Sequence, residues 1–184
     1  MTPTPWGYDV ASLPSLATAA DYEAITGKTA TTAVEKALTA VSAAVRTYCG
    51  WHVSPSLECS VLLDAEPGAR CASLPCMGIT DVTSVGDCVS YEWSRSGLVR
   101  LKSGMFEGGW QSVSVDFVAG IDAPELVQLV CSIADGIAKA PTGVSSESAG
   151  AVSVTWDADL SRVDSVLNDR TKSMLAPYRI SRGE

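Results

Sequence analysis

Charge is scarce in this sequence. Charged residues make up 18% of its 184 positions, against roughly 25% in an average soluble protein, so Ser, Thr, Gly and Ala must supply much of the surface polarity. Such a surface suits repeated subunit contact. Basic residues are scarcer still: 13 Lys and Arg stand against 21 Asp and Glu, for a net charge of -8 and a pI near 4.6. That is the wrong sign for gripping nucleic acid through its phosphates, but it is compatible with a wall along which DNA slides without sticking. The first 27 residues hold no Lys or Arg, whereas Arg170, Lys172, Arg179 and Arg182 meet only Glu184 as acid within the last 15. The tail is locally basic.

Long apolar runs are missing too. None approaches the roughly 20 residues of a membrane-spanning helix, and no positively charged start precedes an apolar core. No membrane association and no signal peptide are expected, and the chain is read as staying in the cytosol where it is made. There the six cysteines, Cys49, Cys59, Cys71, Cys76, Cys88 and Cys131, are expected as reduced thiols, mostly small apolar fillers.

The residues that usually carry chemistry are few or badly spaced. His52 is the only histidine, so a Cys-His nucleophile pair has one candidate, Cys49 with His52. Cys49 adjoins an apolar stripe and no orienting acid or Asn is apparent, which favours a structural role. Cys59, Cys71, Cys76 and Cys88 share a β-rich stretch, but the sequence has no Cys-x-x-Cys knuckle, which argues against a four-thiolate zinc site. Gly27-Lys28-Thr29 imitates the end of a phosphate-binding loop, yet Tyr22 stands where that motif needs its first glycine. Gly104, Gly108 and Gly109 lack the strand-to-helix setting of a dinucleotide site. The pairs Asp157 with Asp159 and Asp64 with Glu66 read as solvated acids at turns or helix starts. No catalytic, cofactor or metal residue is assigned, and an enzyme is not expected.

What is present is a strong helical signal. With 46% hydrophobic residues, the chain can build one complete core, and residues 1–184 are read as a single domain with extensions. In Thr32–Trp51, Val34, Leu38, Val41, Val45 and Tyr48 recur at steps of four and three and share one helix face. Thr32 and Glu35 form a candidate capping box, and Gly50 is a stop. Glu35, Thr39, Ser42 and Arg46 make the opposite stripe, read as wetted and as facing either a neighbouring copy or a channel.

Before this helix, residues 1–18 carry Pro3, Pro5 and Pro14 and are expected as an extended arm that docks through Trp6 and Tyr8. A short helix over Ala19–Thr26, with Tyr22 and Ile25 inward, closes at Gly27. After it, residues 55–120 read as a β-rich insert with strands near Glu58–Leu63, Ile79–Val85, Val89–Trp93, Leu98–Leu101 and Val113–Phe117. Asp122-Ala123-Pro124-Glu125 opens a helix over 122–140, with Leu126, Leu129, Val130, Ile133 and Ile137 inward. Residues 141–158 read as an exposed loop or short strand, and a last helix is expected over 159–176. Pro177 stops it, and Tyr178 and Ile180 in the tail, 177–184, need something to hold them. The fold class expected is α+β, mainly α: a bundle of three long helices with a small inserted antiparallel sheet. Trp6, Trp93, Trp110 and Trp156 fall outside the helical core and either cover the sheet or anchor a neighbour.

The order VRTYCGWHVSP, LPCMGITDVTSV, YEW, VAGIDAPELV, SESAGAVSVTW, LAPYRI resembles the head-tail connector (adaptor) proteins of long-tailed, siphovirus-type bacteriophages, particularly those of actinobacterial hosts. The likeness spans nearly the whole chain and rests on order and spacing, with a departure at FEGGW, Phe106–Trp110. It implies a structural virion protein of the phage neck, forming a ring of about twelve copies that joins the portal protein to the tail-side (head-closure) neck protein and extends the DNA channel. DNA would be passing cargo only. By that analogy Tyr178, Arg179 and Ile180 are the portal-binding residues, and Glu35, Thr39, Ser42, Arg46, Trp6 and Trp156 lie at subunit contacts or the channel. The alternatives are a small cytosolic binding module using the Trp-bearing sheet and, less favoured, a thiol or zinc enzyme.

Overall fold

The computed structural model describes residues 1–139, 146–149, 152–155 and 166–180. Their contacts group the chain into two units, residues 1–14 with 50–122 and Ile180, and residues 15–49 with 123–179.

The first unit is built of strands. These are β1 (Thr2–Pro3), β2 (Asp9–Val10), β3 (Leu57–Ala65), β4 (Cys71–Ser73), β5 (Ile79–Val85), β6 (Tyr91–Trp93), β7 (Leu98–Leu101) and β8 (Gly109–Ala119). One antiparallel sheet runs β1-β2-β3-β8-β5, the other β4-β7-β6. The long pair β3 and β8 sets the frame, in register from Leu57 opposite Ala119 to Leu63 opposite Val113. Because side chains alternate across a strand, Cys59 and Val61 share the buried face with Val113, Val115, Phe117 and Ala119. Ile79, Val82 and Val85 of β5 join them, with Tyr8, Val10, Trp51 and Val53. Each of the larger buried side chains contributes about 1.5–3 kcal/mol relative to exposure. Gly120 ends β8 at φ +145, and a Cβ there would sit 2.4 Å from the Pro55 carbonyl oxygen. No side chain fits that crossing.

The second unit is built of helices: α1 (Ala19–Thr26), α2 (Thr32–Cys49), α3 (Pro124–Lys139) and α4 (Asp169–Leu175), the last running into a 3-10 turn at Ala176–Tyr178. The strands β9 (Ser146–Ala149) and β10 (Val152–Thr155) pair antiparallel within it. Thr18 caps α1 by accepting the Asp21 amide, while the Asp21 carboxylate takes the Thr18 amide at 2.8 Å, and Gly27 closes the helix at φ 69. The cap of α2 lies one residue before the expected one: Thr31 Oγ1 accepts the Val34 amide, and Thr32 is already helical. α2 packs on α3, and Val34, Leu38, Val41 and Val45 of the one and Leu126 and Val130 of the other are buried. Leu129, Ile133 and Ile137 are only half-buried, and Ile25 stays 45% exposed, not inward as expected.

The mainly helical bundle with a small insert is therefore corrected: among the described residues there are four helices, and the strand unit alone holds eight strands in two antiparallel sheets, with β9 and β10 a further pair. Two features account for the difference. The Pro-rich arm folds back and adds β1 and β2 to β3. The stretch read as a short strand at Val113–Phe117 extends through the glycine loop to Gly109.

Candidate functional site

Of the four residues on the polar stripe of α2, Glu35 and Thr39 are exposed. Ser42 and Arg46 are buried, at 2% and 4% exposure, so the reading of all four as one wetted stripe is corrected. Ser42 Oγ donates to the Leu38 carbonyl at 2.7 Å and accepts the Leu16 amide at 3.0 Å. The segment leading into α1 therefore crosses the stripe at Ser42. Nothing in the pattern of α2 announces this, because Leu16 lies 26 positions earlier.

The C-terminal segment is held against its own unit. The Tyr178 hydroxyl donates to Glu125 Oε1 at the start of α3. That bond pushes the phenol up to about 12 and draws the Glu125 carboxyl below its ordinary value. The Arg179 guanidinium lies 5.6 Å from the centre of the Tyr48 ring, within cation-π range, and the Tyr48 hydroxyl donates to the Lys172 carbonyl at 3.2 Å. Arg179 remains exposed and Ile180 half-buried. A second clamp of the helical unit is Asp135, whose carboxylate takes Lys139, Lys28 and the Tyr22 hydroxyl. These partners, Lys139 foremost, hold its carboxyl well below the usual range.

Trp6 is half-buried, its ring centre 6.1 Å from that of Tyr8. Trp156 lies outside the described residues. Trp51 is fully buried, Trp93 is half-buried, and Trp110 is 88% exposed.

The thiol and imidazole groups are arranged for structure. Burial pushes the Cys49 thiol up to about 12, which leaves it protonated at neutral pH, the wrong form for a nucleophile. His52 is wholly buried. Its Nε2 lies 2.9 Å from the Ala119 carbonyl and its Nδ1 2.8 Å from the Tyr8 hydroxyl. A carbonyl only accepts, so Nε2 carries the proton and Nδ1 receives the Tyr8 hydrogen. Among the insert cysteines, Cys59 and Cys76 are buried, Cys88 is half-buried and Cys71 is exposed. Among the described residues no three His, Cys, Asp or Glu side chains are grouped to hold a metal ion.

One concave surface escaped the sequence reading. A cleft of about 520 Å³ opens on the three-stranded sheet, lined by Arg70, Cys71, Glu92, Arg100, Leu101 and Lys102. Register explains it: Arg100 lies opposite Glu92, pairs with it, and shares its strand face with Lys102. Arg70 is pinned by bonds from its guanidinium to the Leu101 and Lys102 carbonyls, at 3.3 and 2.6 Å. The alternation of Arg100 and Lys102 around Leu101 was the available signal.

No protein-family model matches the sequence, and no curated protein matches it. The fold does have a counterpart among solved structures: a chain in the neck of an empty gene transfer agent (GTA) particle, computed with C6 symmetry, aligns over 96% of this chain and 97% of that one. Its TM-score is 0.59 and its identity 16%. The two chains share a fold from end to end.

Proposed function

We propose that this chain is a structural protein of the neck of a phage-like particle. The observation that carries the reading is the end-to-end likeness of fold to a neck chain, since both the strand unit and the helical unit are matched in one alignment. A net charge of -8, the wrong sign for gripping DNA, and a Cys49 thiol kept protonated agree with a scaffolding role.

The finer reading follows from the resemblance in the sequence. The chain forms a ring, of twelve copies or another multiple suited to the sixfold symmetry of the neighbour's neck, between a portal protein and a tail-side neck protein, in a siphovirus-type particle of an actinobacterial host. DNA passes through without being bound. Tyr178, Arg179 and Ile180 contact the portal, and Glu35 and Thr39 face a neighbouring copy or the channel. Purified particles, split into head, neck and tail fractions and measured by quantitative mass spectrometry, test the assignment: the chain is expected in the neck fraction at a fixed ratio to portal, and its absence from particles rejects the reading.

A further inference from the structure

Trp110 is 88% exposed, although moving so large an aromatic surface out of water is favourable and such residues dominate protein contacts. Its backbone is not that of a loose loop. Gly108 and Gly109 precede it at φ 85 and 133, and Gln111 follows at φ 51, a left-handed conformation that costs a non-glycine residue about 1–3 kcal/mol. That conformation is held from outside: the Gln111 amide donates to Asp64 Oδ1 at 2.7 Å, and the Ser112 hydroxyl donates to the Gly109 carbonyl at 3.0 Å. Gly108 lies so close to Pro67 that a Cβ would sit 2.5 Å from the proline nitrogen. The chain accepts strain on one side of Trp110 and a glycine-only approach on the other, and the product is an indole presented to solvent.

The cleft on the three-stranded sheet has the complementary chemistry. Its volume of about 520 Å³ falls in the range of pockets that take a compact ligand. The exposed Cys71 gives it a small apolar part, and Arg70 and Arg100 supply guanidinium groups fixed by carbonyls and by Glu92. Pre-fixed planar cations stack on aromatic faces with little loss of side-chain freedom. Trp110 is not among the residues that line the cleft in its own chain.

We infer that Trp110 of one copy seats in the cleft between Arg70 and Arg100 of a second copy of this chain. The two patches differ, so the contact is heterologous, the kind that repeats around a closed ring. This deepens the proposed function and rests on it, because it names the residues that join successive copies.

The native Cys71 in the cleft makes the contact testable in particles assembled from the full chain. Trp110→Cys places a second thiol beside it, and mild oxidation with diamide, which takes up the two electrons and two protons released, joins them as a disulfide. A ladder of linked copies is expected from the neck, lost on adding Cys71→Ser. Neck rings that contain the variant but give no Cys71-dependent ladder overturn the inference and leave the neck assignment standing; particles that lack the wild-type chain reject the assignment itself. Where Trp110→Cys does not assemble, Trp110→Phe and Trp110→Ala decide. The phenyl variant is expected to enter rings and the alanine variant, folded by circular dichroism, to enter at least about tenfold less. Equal entry of both overturns the inference.

Discussion

Tyr8 and His52, 44 residues apart, close a buried two-way link: the Tyr8 hydroxyl donates to His52 Nδ1 at 2.8 Å and accepts the His52 amide at 3.0 Å. The ring is also packed edge-on between Tyr8 and Trp51. This link fastens the N-terminal arm into the strand unit. Tyr8→Phe keeps the ring and removes the oxygen on which both bonds close, so it is expected to lower unfolding stability by about 1–3 kcal/mol. Urea denaturation with an unchanged slope and a lower midpoint would show it. An unchanged midpoint would mean that the hydroxyl does not hold the arm.

Thiol reactivity separates a structural role for the cysteines from a chemical one. Burial pushes Cys49 and Cys59 up to about 12 and raises Cys76 and Cys131 as well. At pH 7 burial keeps Cys49 as the neutral thiol. Native protein treated with a thiol-exchange reagent is expected to react at Cys71 and more slowly at Cys88, with the other four released on unfolding. Rapid modification of Cys49 in the folded chain would revive the thiol-enzyme reading.

How much of this was legible beforehand depends on how local each cause is. The period of α2, the Gly27 stop of α1 and the alternation of β5 and β7 are written in neighbouring residues, and those elements lie where the pattern puts them. The burial of Ser42 is not, because it depends on Leu16 arriving from outside the helix. The Pro-rich arm gave no strand signal for β2, whose pairing of Asp9 with Ser60 spans 51 positions. The cleft was hidden for a related reason: Glu92 and Arg100 meet only through strand register. The resemblance pointed to the C-terminal segment, the polar stripe of α2, Trp6 and Trp156, whereas the most exposed tryptophan among the described residues, Trp110, sits at the base of β8.

Asp135 gives the helical unit an acid limit. Its carboxyl is depressed in the folded state by Lys139, Lys28 and Tyr22, so its contribution is complete above the ordinary aspartate value of 3.8 and is lost only as pH falls beneath it. Asp135→Asn is expected to lower Tm by a few degrees at pH 7 and by progressively less as pH drops below 4. A Tm deficit that stays constant to pH 2 would contradict the clamp. At the alkaline end, the Tyr178 bond to Glu125 holds below about pH 10 and is lost as pH rises through about 12, which absorbance of the phenolate reads directly.

The C-terminal segment is fixed to its own unit through Tyr178, Arg179 and Tyr48, and a portal contact there would meet an ordered surface. Deleting residues 177–184 is expected to abolish capture by purified portal assemblies while leaving the chain folded. Undiminished capture by a folded, truncated chain would move the portal contact elsewhere.

Cryo-electron microscopy of the intact neck tests the central claim most directly. The account predicts a closed ring of this chain between portal and tail, with the strand unit and the helical unit each fitting its density in every copy. A neck resolved at side-chain detail with every ring assigned to other proteins would contradict it.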